Sequence, residues 1–165
     1  MEAQLRWPTA FVERSALAHG DLFAMDLGDT DFLALAVGQA HVNYALILAQ
    51  FGKSVFDTVP HMEILETFVE GDALVRRFSD GLVVEPVSMK PADLVSTRQS
   101  SPAPHGGLAL LPGGRRGIYL RGGGGPGIIF DLATGESESR VGVRVIEHWR
   151  LLWTDGLDRV ELCRF

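Results

Sequence analysis

The run Gly122-Gly123-Gly124-Gly125-Pro126-Gly127 satisfies G-x-G-x-x-G, the spacing that lets a backbone approach a pyrophosphate. That chemistry needs a strand before the glycines and a helix after them, so that the helix N-terminus faces the phosphates. Ile128-Ile129-Phe130 follows instead, which is strand-like, and Pro126 interrupts the motif. The run therefore reads as a turn. Gly113-Gly114-Arg115-Arg116-Gly117 offers two guanidiniums to an anion. It lacks the Gly-Lys-Ser/Thr end of a P-loop, so nucleotide hydrolysis is not supported.

The remaining chemistry-bearing residues are scattered. His19, His41, His61, His105 and His148 form no His-Glu-x-x-His and no close pair, so neither a metal site nor a cofactor is expected. The single cysteine, Cys163, excludes an internal disulfide and a multi-cysteine zinc site. With no base beside it to activate the thiol, a structural role is expected for it, as for His148. Gly-x-Ser-x-Gly is absent. Carboxylates are more numerous: Asp26, Asp29 and Asp31, then Glu63, Glu66 and Glu70. Nothing in their spacing separates their pKa values for acid/base work.

Their distribution is informative. Residues 1–75 hold eleven acids and three bases, a net of −8; residues 76–165 hold ten acids and twelve bases, a net of +2. Nucleic-acid binding needs clustered Lys and Arg, and the first half has the opposite sign. An acidic surface attracts a cationic partner and speeds encounter. Asp29, Asp31, Glu63, Glu66 and Glu70 are the expected partner-binding residues. Met1–Trp7 lacks an apolar core, so no signal peptide is expected. With one thiol, the cytoplasm is the expected compartment. No apolar run approaches the ~18 residues of a membrane span.

The elements that must position these residues are mostly strands. The 165 residues suit one domain, 1–165, with a long exposed loop at 88–106, where Pro91, Pro102 and Pro104 interrupt the chain. Phe11 to Leu17 suits a short helix. Asp21–Leu27, Phe32–Val37 and Asn43–Phe51 read as an antiparallel meander, the connections being too short for helical crossovers. Pro60 to Gly71 reads as a helix, with Ile64, Leu65, Phe68 and Val69 on one face and Glu63, Glu66 and Glu70 on the other. Ala73–Phe78 and Leu82–Val87 read as a hairpin about Ser79-Asp80-Gly81. Short glycine-separated strands follow at Leu108–Leu111, Ile118–Leu120 and Ile128–Leu132. Further strands are expected within Val141–Trp149, Leu151–Trp153 and Leu157–Phe165. The expected class is α+β: mostly antiparallel β, a meander or barrel-like sheet, with one or two short helices.

Gly20-Asp21-Leu22-Phe23-Ala24-Met25-Asp26-Leu27-Gly28-Asp29 resembles the opening of the immunity protein 26 family, which begins with Gly-Asp, an aliphatic residue, Phe-Ala-Ile, then Leu-Gly-Asp and a turn. The resemblance extends over residues 20–90. The family usually carries Pro where Asp26 stands, and a Gly-Arg-Val in its second strand where this chain has Ala36-Val37-Gly38. The resemblance implies a cytoplasmic, non-catalytic inhibitor that neutralises a secreted bacterial toxin, with no binding residues transferable. A basic toxin domain would suit the acidic first half. The alternative is a small enzyme with a dispersed site. It would be built from Asp26, Asp29, Asp31 and His41, or from Arg115 and Arg116 beside the glycine run.

Overall fold

The computed structural model describes residues 9–26, 31–39, 42–51, 58–66, 73–78, 82–96, 104–121, 127–139, 142–155 and 158–165. In chain order the strands are β1 (Thr9–Glu13), β2 (Leu22–Asp26), β3 (Asp31–Gln39), β4 (Val42–Phe51), β5 (Thr58–Glu66), β6 (Leu74–Phe78), β7 (Leu82–Pro86), β8 (Leu94–Ser96), β9 (Gly107–Leu110), β10 (Arg116–Leu120), β11 (Ile128–Asp131), β12 (Ser137–Glu138), β13 (Arg144–Ile146), β14 (Trp149–Asp155) and β15 (Asp158–Arg164). They form three antiparallel sheets. The first runs β1-β6-β2-β3-β4-β5, the second β12-β11-β10-β9-β13-β8, and the third β15-β14-β7.

The α+β expectation is overturned: the chain is nearly all antiparallel β. Among the described residues the helical pieces are three-residue 3-10 turns at Arg14–Ala16, Pro91–Asp93 and Pro112–Gly114. The meander is present, because β2, β3 and β4 pair consecutively. The helix expected from Pro60 is strand β5 up to Glu66; residues 67–72 lie outside the described residues. Pairing explains the difference. β4 is ten residues long, and β5 satisfies its outer edge from Thr58 to Glu66. Backbone partners for so long a strand outweigh a ten-residue helical pattern that is marginal by itself. Pro60 is tolerated because β5 is an edge strand and Pro60 lies at a register irregularity opposite Ala49.

Two further expectations change. Phe11–Glu13 is extended, so the Phe11–Leu17 helix shrinks to the 3-10 turn. The expected hairpin does not close. β6 inserts between β1 and β2 of the first sheet, whereas β7 pairs with β14 in the third. Each strand finds a five-residue register with a distant partner, so these consecutive strands belong to different sheets. Within the expected loop, Leu94–Ser96 is β8, an edge strand paired with β13.

The main core lies where the three sheets meet. It takes Leu22, Leu33, Leu35, Leu46 and Leu48 from the first sheet and Leu108, Ile118, Phe130 and Ile146 from the second. The third contributes Trp149, Leu151, Leu162 and Cys163. The other face of the first sheet is buried around Phe23, Met25 and Ile47, and that of the second around Tyr119, Ile129 and Val145. Strands buried on both faces need near-continuous apolar runs, which accounts for Phe32–Phe51. The first and second sheets are joined at two glycines. Gly20 (φ +84°) approaches the Leu132 carbonyl, and Gly135 (φ +70°) sits where an added Cβ would stand 2.5 Å from the His19 Cβ. Neither position accepts an ordinary side chain. No helix of the described residues is long and apolar enough to cross a membrane.

Candidate functional site

The registers align side chains across one end of the first sheet. Glu13 opposes Leu74, Asp26 opposes Asp31, and Ala24 opposes Arg76. Since alternate residues of a strand share a face, Glu13, Leu74, Asp26 and Asp31 form one row across β1, β6, β2 and β3. Phe11, Arg76, Ala24 and Leu33 form the next row. Deeper along the same face the residues enter the main core through Leu22, Leu33 and Leu35. At the end of the sheet Phe11 is 72% and Leu74 67% exposed. The two lie diagonally across a β pair, within reach of each other's side chains. Three acids share this face: Glu13 and Asp26 are exposed, and Asp31 is half-buried and paired with Arg76. β1 is moreover an edge strand of its sheet.

Of the partner-binding residues expected from sequence, only Asp31 falls in this surface. Glu63 and Glu66 lie on β5, and Asp29 and Glu70 lie outside the described residues. Glu63 and Glu66, expected on a helix with Glu70, stand on a strand instead. The linear charge split also softens in space. Arg76 and Arg77, the first cations past residue 75, pair back to Asp31 at 3.5 Å and to Asp21 at 3.7 Å. Phe11, Leu74 and Glu13 had no signal in the linear pattern, since β1 and β6 meet only through tertiary pairing.

The arginine pair is committed to the fold. Arg115 forms an ion pair with Asp131, whose carboxylate is 3% exposed and also accepts the Ala133 N–H at 2.8 Å. Arg116 donates to the Val84 carbonyl of β7, linking the second sheet to the third. The two guanidiniums thus serve different partners and do not converge on an anion. Gly122–Pro126 of the glycine run lie outside the described residues, while Gly127 packs on the Tyr119 ring. His19 and His148 are exposed, and His105 accepts the Arg121 N–H through Nδ1 at 3.0 Å. His41 lies outside the described residues and His61 belongs to β5. Cys163 is buried in the main core. Among the described residues no three His, Cys, Asp or Glu side chains gather to hold a metal ion.

Among the described residues the third sheet carries the densest ionic lattice. Glu85 accepts from Arg150 Nε at 2.9 Å and Nη2 at 2.6 Å, and pairs with Arg159 at 3.6 Å. Glu161 accepts from Arg164 Nε at 2.9 Å and Nη2 at 2.8 Å, and from Arg150 Nη1 at 3.5 Å. The hydrogen bond from Arg150 holds the Glu85 carboxyl below its ordinary value, and that from Arg164 does the same for Glu161. Glu161 in turn raises the Arg164 guanidinium. These groups satisfy one another across β7, β14 and β15, so the lattice reads as sheet reinforcement. No family model, curated protein or solved structure matches this chain.

Proposed function

We propose that the chain is a non-catalytic binding protein that takes a cationic protein partner on the acid-bearing end of the first sheet. The observation that carries this reading is Phe11 and Leu74, exposed on neighbouring strands with the exposed carboxylates of Glu13 and Asp26 on the same face of the sheet. Isolated exposed apolar side chains are ordinary. An exposed Phe on an edge strand joins a side chain enriched at interfaces to a backbone edge open to a partner. The carboxylates supply attraction at a distance and select a partner of opposite charge. The likeness of residues 20–29 to the immunity protein 26 opening extends the reading: the partner is a basic bacterial toxin domain, and binding neutralises it. The enzyme alternative loses its arginine pair, because Arg115 and Arg116 are engaged with Asp131 and Val84.

The test begins with a photo-crosslinking residue at Leu74, and in a separate variant at Met89, which is 60% exposed elsewhere on the surface. Both are expressed in the native cell. Capture of a basic protein from position 74 and not from 89 is expected. The purified partner should then associate about tenfold more slowly with a Glu13→Lys/Asp26→Lys variant at low salt, the difference shrinking as salt rises. Co-expression with a toxic partner should restore growth, and Phe11→Ala/Leu74→Ala should weaken that rescue. No capture at 74, or an on-rate indifferent to both charge reversal and salt, would remove this surface as the docking site.

A further inference from the structure

A second feature lies on the same face of the first sheet, deeper in the fold. Where the three sheets meet, a cavity of about 220 Å³ remains. Its floor is Leu48 of β4, Ile118 of β10 and Trp149 of β14, all buried. Its rim includes Val84 of β7 and Leu132, both half-buried, so it has a way out toward solvent. Every sheet contributes to the wall, and every lining side chain is apolar. Four polar atoms of the lining residues are engaged elsewhere. Trp149 Nε1 donates to the Gly106 carbonyl at 2.8 Å, and the Val84 carbonyl accepts from Arg116. The Leu132 N–H donates to the Arg116 carbonyl at 2.9 Å, and the Gly20 N–H donates to the Ala36 carbonyl at 2.8 Å.

Protein interiors are packed like organic crystals, and voids of this size are few. A dry apolar cavity of about 150 Å³ is known to admit benzene. We infer that this cavity is a binding site for a small, neutral, apolar molecule of about one aromatic ring with a short alkyl substituent. Charge is selected against, because the lining offers no side chain to compensate a buried ion. The glycine joint between the first and second sheets fixes one wall: Gly20 lines the cavity, and a Cβ added there would stand 3.2 Å from the Leu132 carbonyl oxygen. The inference does not rest on the docking surface, which lies toward the other end of the sheet around Asp26 and Asp31.

The experiment titrates toluene, and benzoate as its charged counterpart, into the full chain and follows the methyl resonances of Leu48 and Ile118. Toluene should shift both saturably and benzoate should shift neither. Two variants fill the space from the rim, Val84→Phe and Leu132→Phe. Each should weaken toluene binding by about tenfold or more, the scale on which an apolar pocket discriminates by a few carbon atoms. The inference is overturned if toluene at its solubility limit leaves those methyls unmoved. It is equally overturned if a filling variant with a dispersed amide spectrum binds toluene as the parent does. Should both variants fail to fold, the methyl titration of the parent decides alone.

Discussion

Trp149 and Trp153 stand four residues apart on β14 and differ in what their indole N–H meets. Trp149 is 1% exposed, donates to the Gly106 carbonyl at 2.8 Å, and stacks on Phe165 with centroids 4.1 Å apart. Trp153 is half-buried, yet its Nε1 is buried with no acceptor among the described residues. The same substitution should therefore have unequal effects. Trp149→Phe removes a made hydrogen bond and strands a buried carbonyl, a loss of about 1–3 kcal/mol beyond the lost volume. Trp153→Phe removes a donor whose desolvation nothing offsets, so the gain should cancel part of its packing loss. Urea unfolding of both variants checks this; a Trp153→Phe loss equal to or above that of Trp149→Phe would refute it. No linear pattern distinguishes these two tryptophans. Composition likewise put Arg115 and Arg116 together as an anion site, while folding sends one to Asp131 and the other to Val84. Residue types are legible in sequence, but which neighbour satisfies each is decided by strands that meet from far along the chain.

Elements were legible where the pattern is local and dense. The meander β2-β3-β4 and the glycine-separated strands β9, β10 and β11 follow from apolar runs bounded by turn residues. From Pro60 to Glu66 the apolar residues fit a helix but form a strand, because the determinant, the open edge of β4, is invisible locally. The final strand shows a subtler case. Its alternation predicts Val160 and Leu162 inward, yet Leu162 and Cys163 are both buried. Glu161 opposes Leu152 and Cys163 opposes Leu151, so Leu162 is the extra residue of a bulge. The third sheet that contains this bulge is tied by Glu85 and Glu161, and their depressed pKa values give its stability a sign with pH. Unfolded carboxyls titrate near about 4.3. Carboxyls held lower in the folded state bind fewer protons there than when unfolded, so their contribution is full above that value. It is lost as pH falls through the lower folded values. Protection of the β14 amides, taken relative to their intrinsic exchange rates, which themselves slow in acid, should fall on acidification below about pH 4. In Glu85→Gln/Glu161→Gln that loss of protection should be smaller, and an unchanged pH profile would assign the acid sensitivity to other groups.

At the scale of the molecule, the order in which the chain visits its sheets makes them interdependent. It leaves the first sheet after β6, enters the third at β7, builds the second from β8 to β13, and returns to the third with β14 and β15. The Arg150–Glu85 pair closes 65 residues of sequence, and the Val87 N–H donates to the His148 carbonyl beside it. Each sheet turns one face to the common core, so none buries its apolar surface alone. Three strands are also few for an independent sheet, and the inward face of the third is Trp149, Leu151 and Leu162. The consequence is cooperative unfolding. Indole fluorescence, weighted to Trp149 and Trp153 of the third sheet, should share a midpoint in urea with far-UV circular dichroism, which reports strands of all three. Removing residues 149–165 should unfold the whole chain, because it takes away the inner wall against which Leu35, Leu48 and Ile118 pack. If the truncated chain kept dispersed amide resonances for β2, β3 and β4, or if the two probes gave separated midpoints in the parent, the first sheet would be an independent unit. The shared core would then be an interface between units rather than the basis of a single fold.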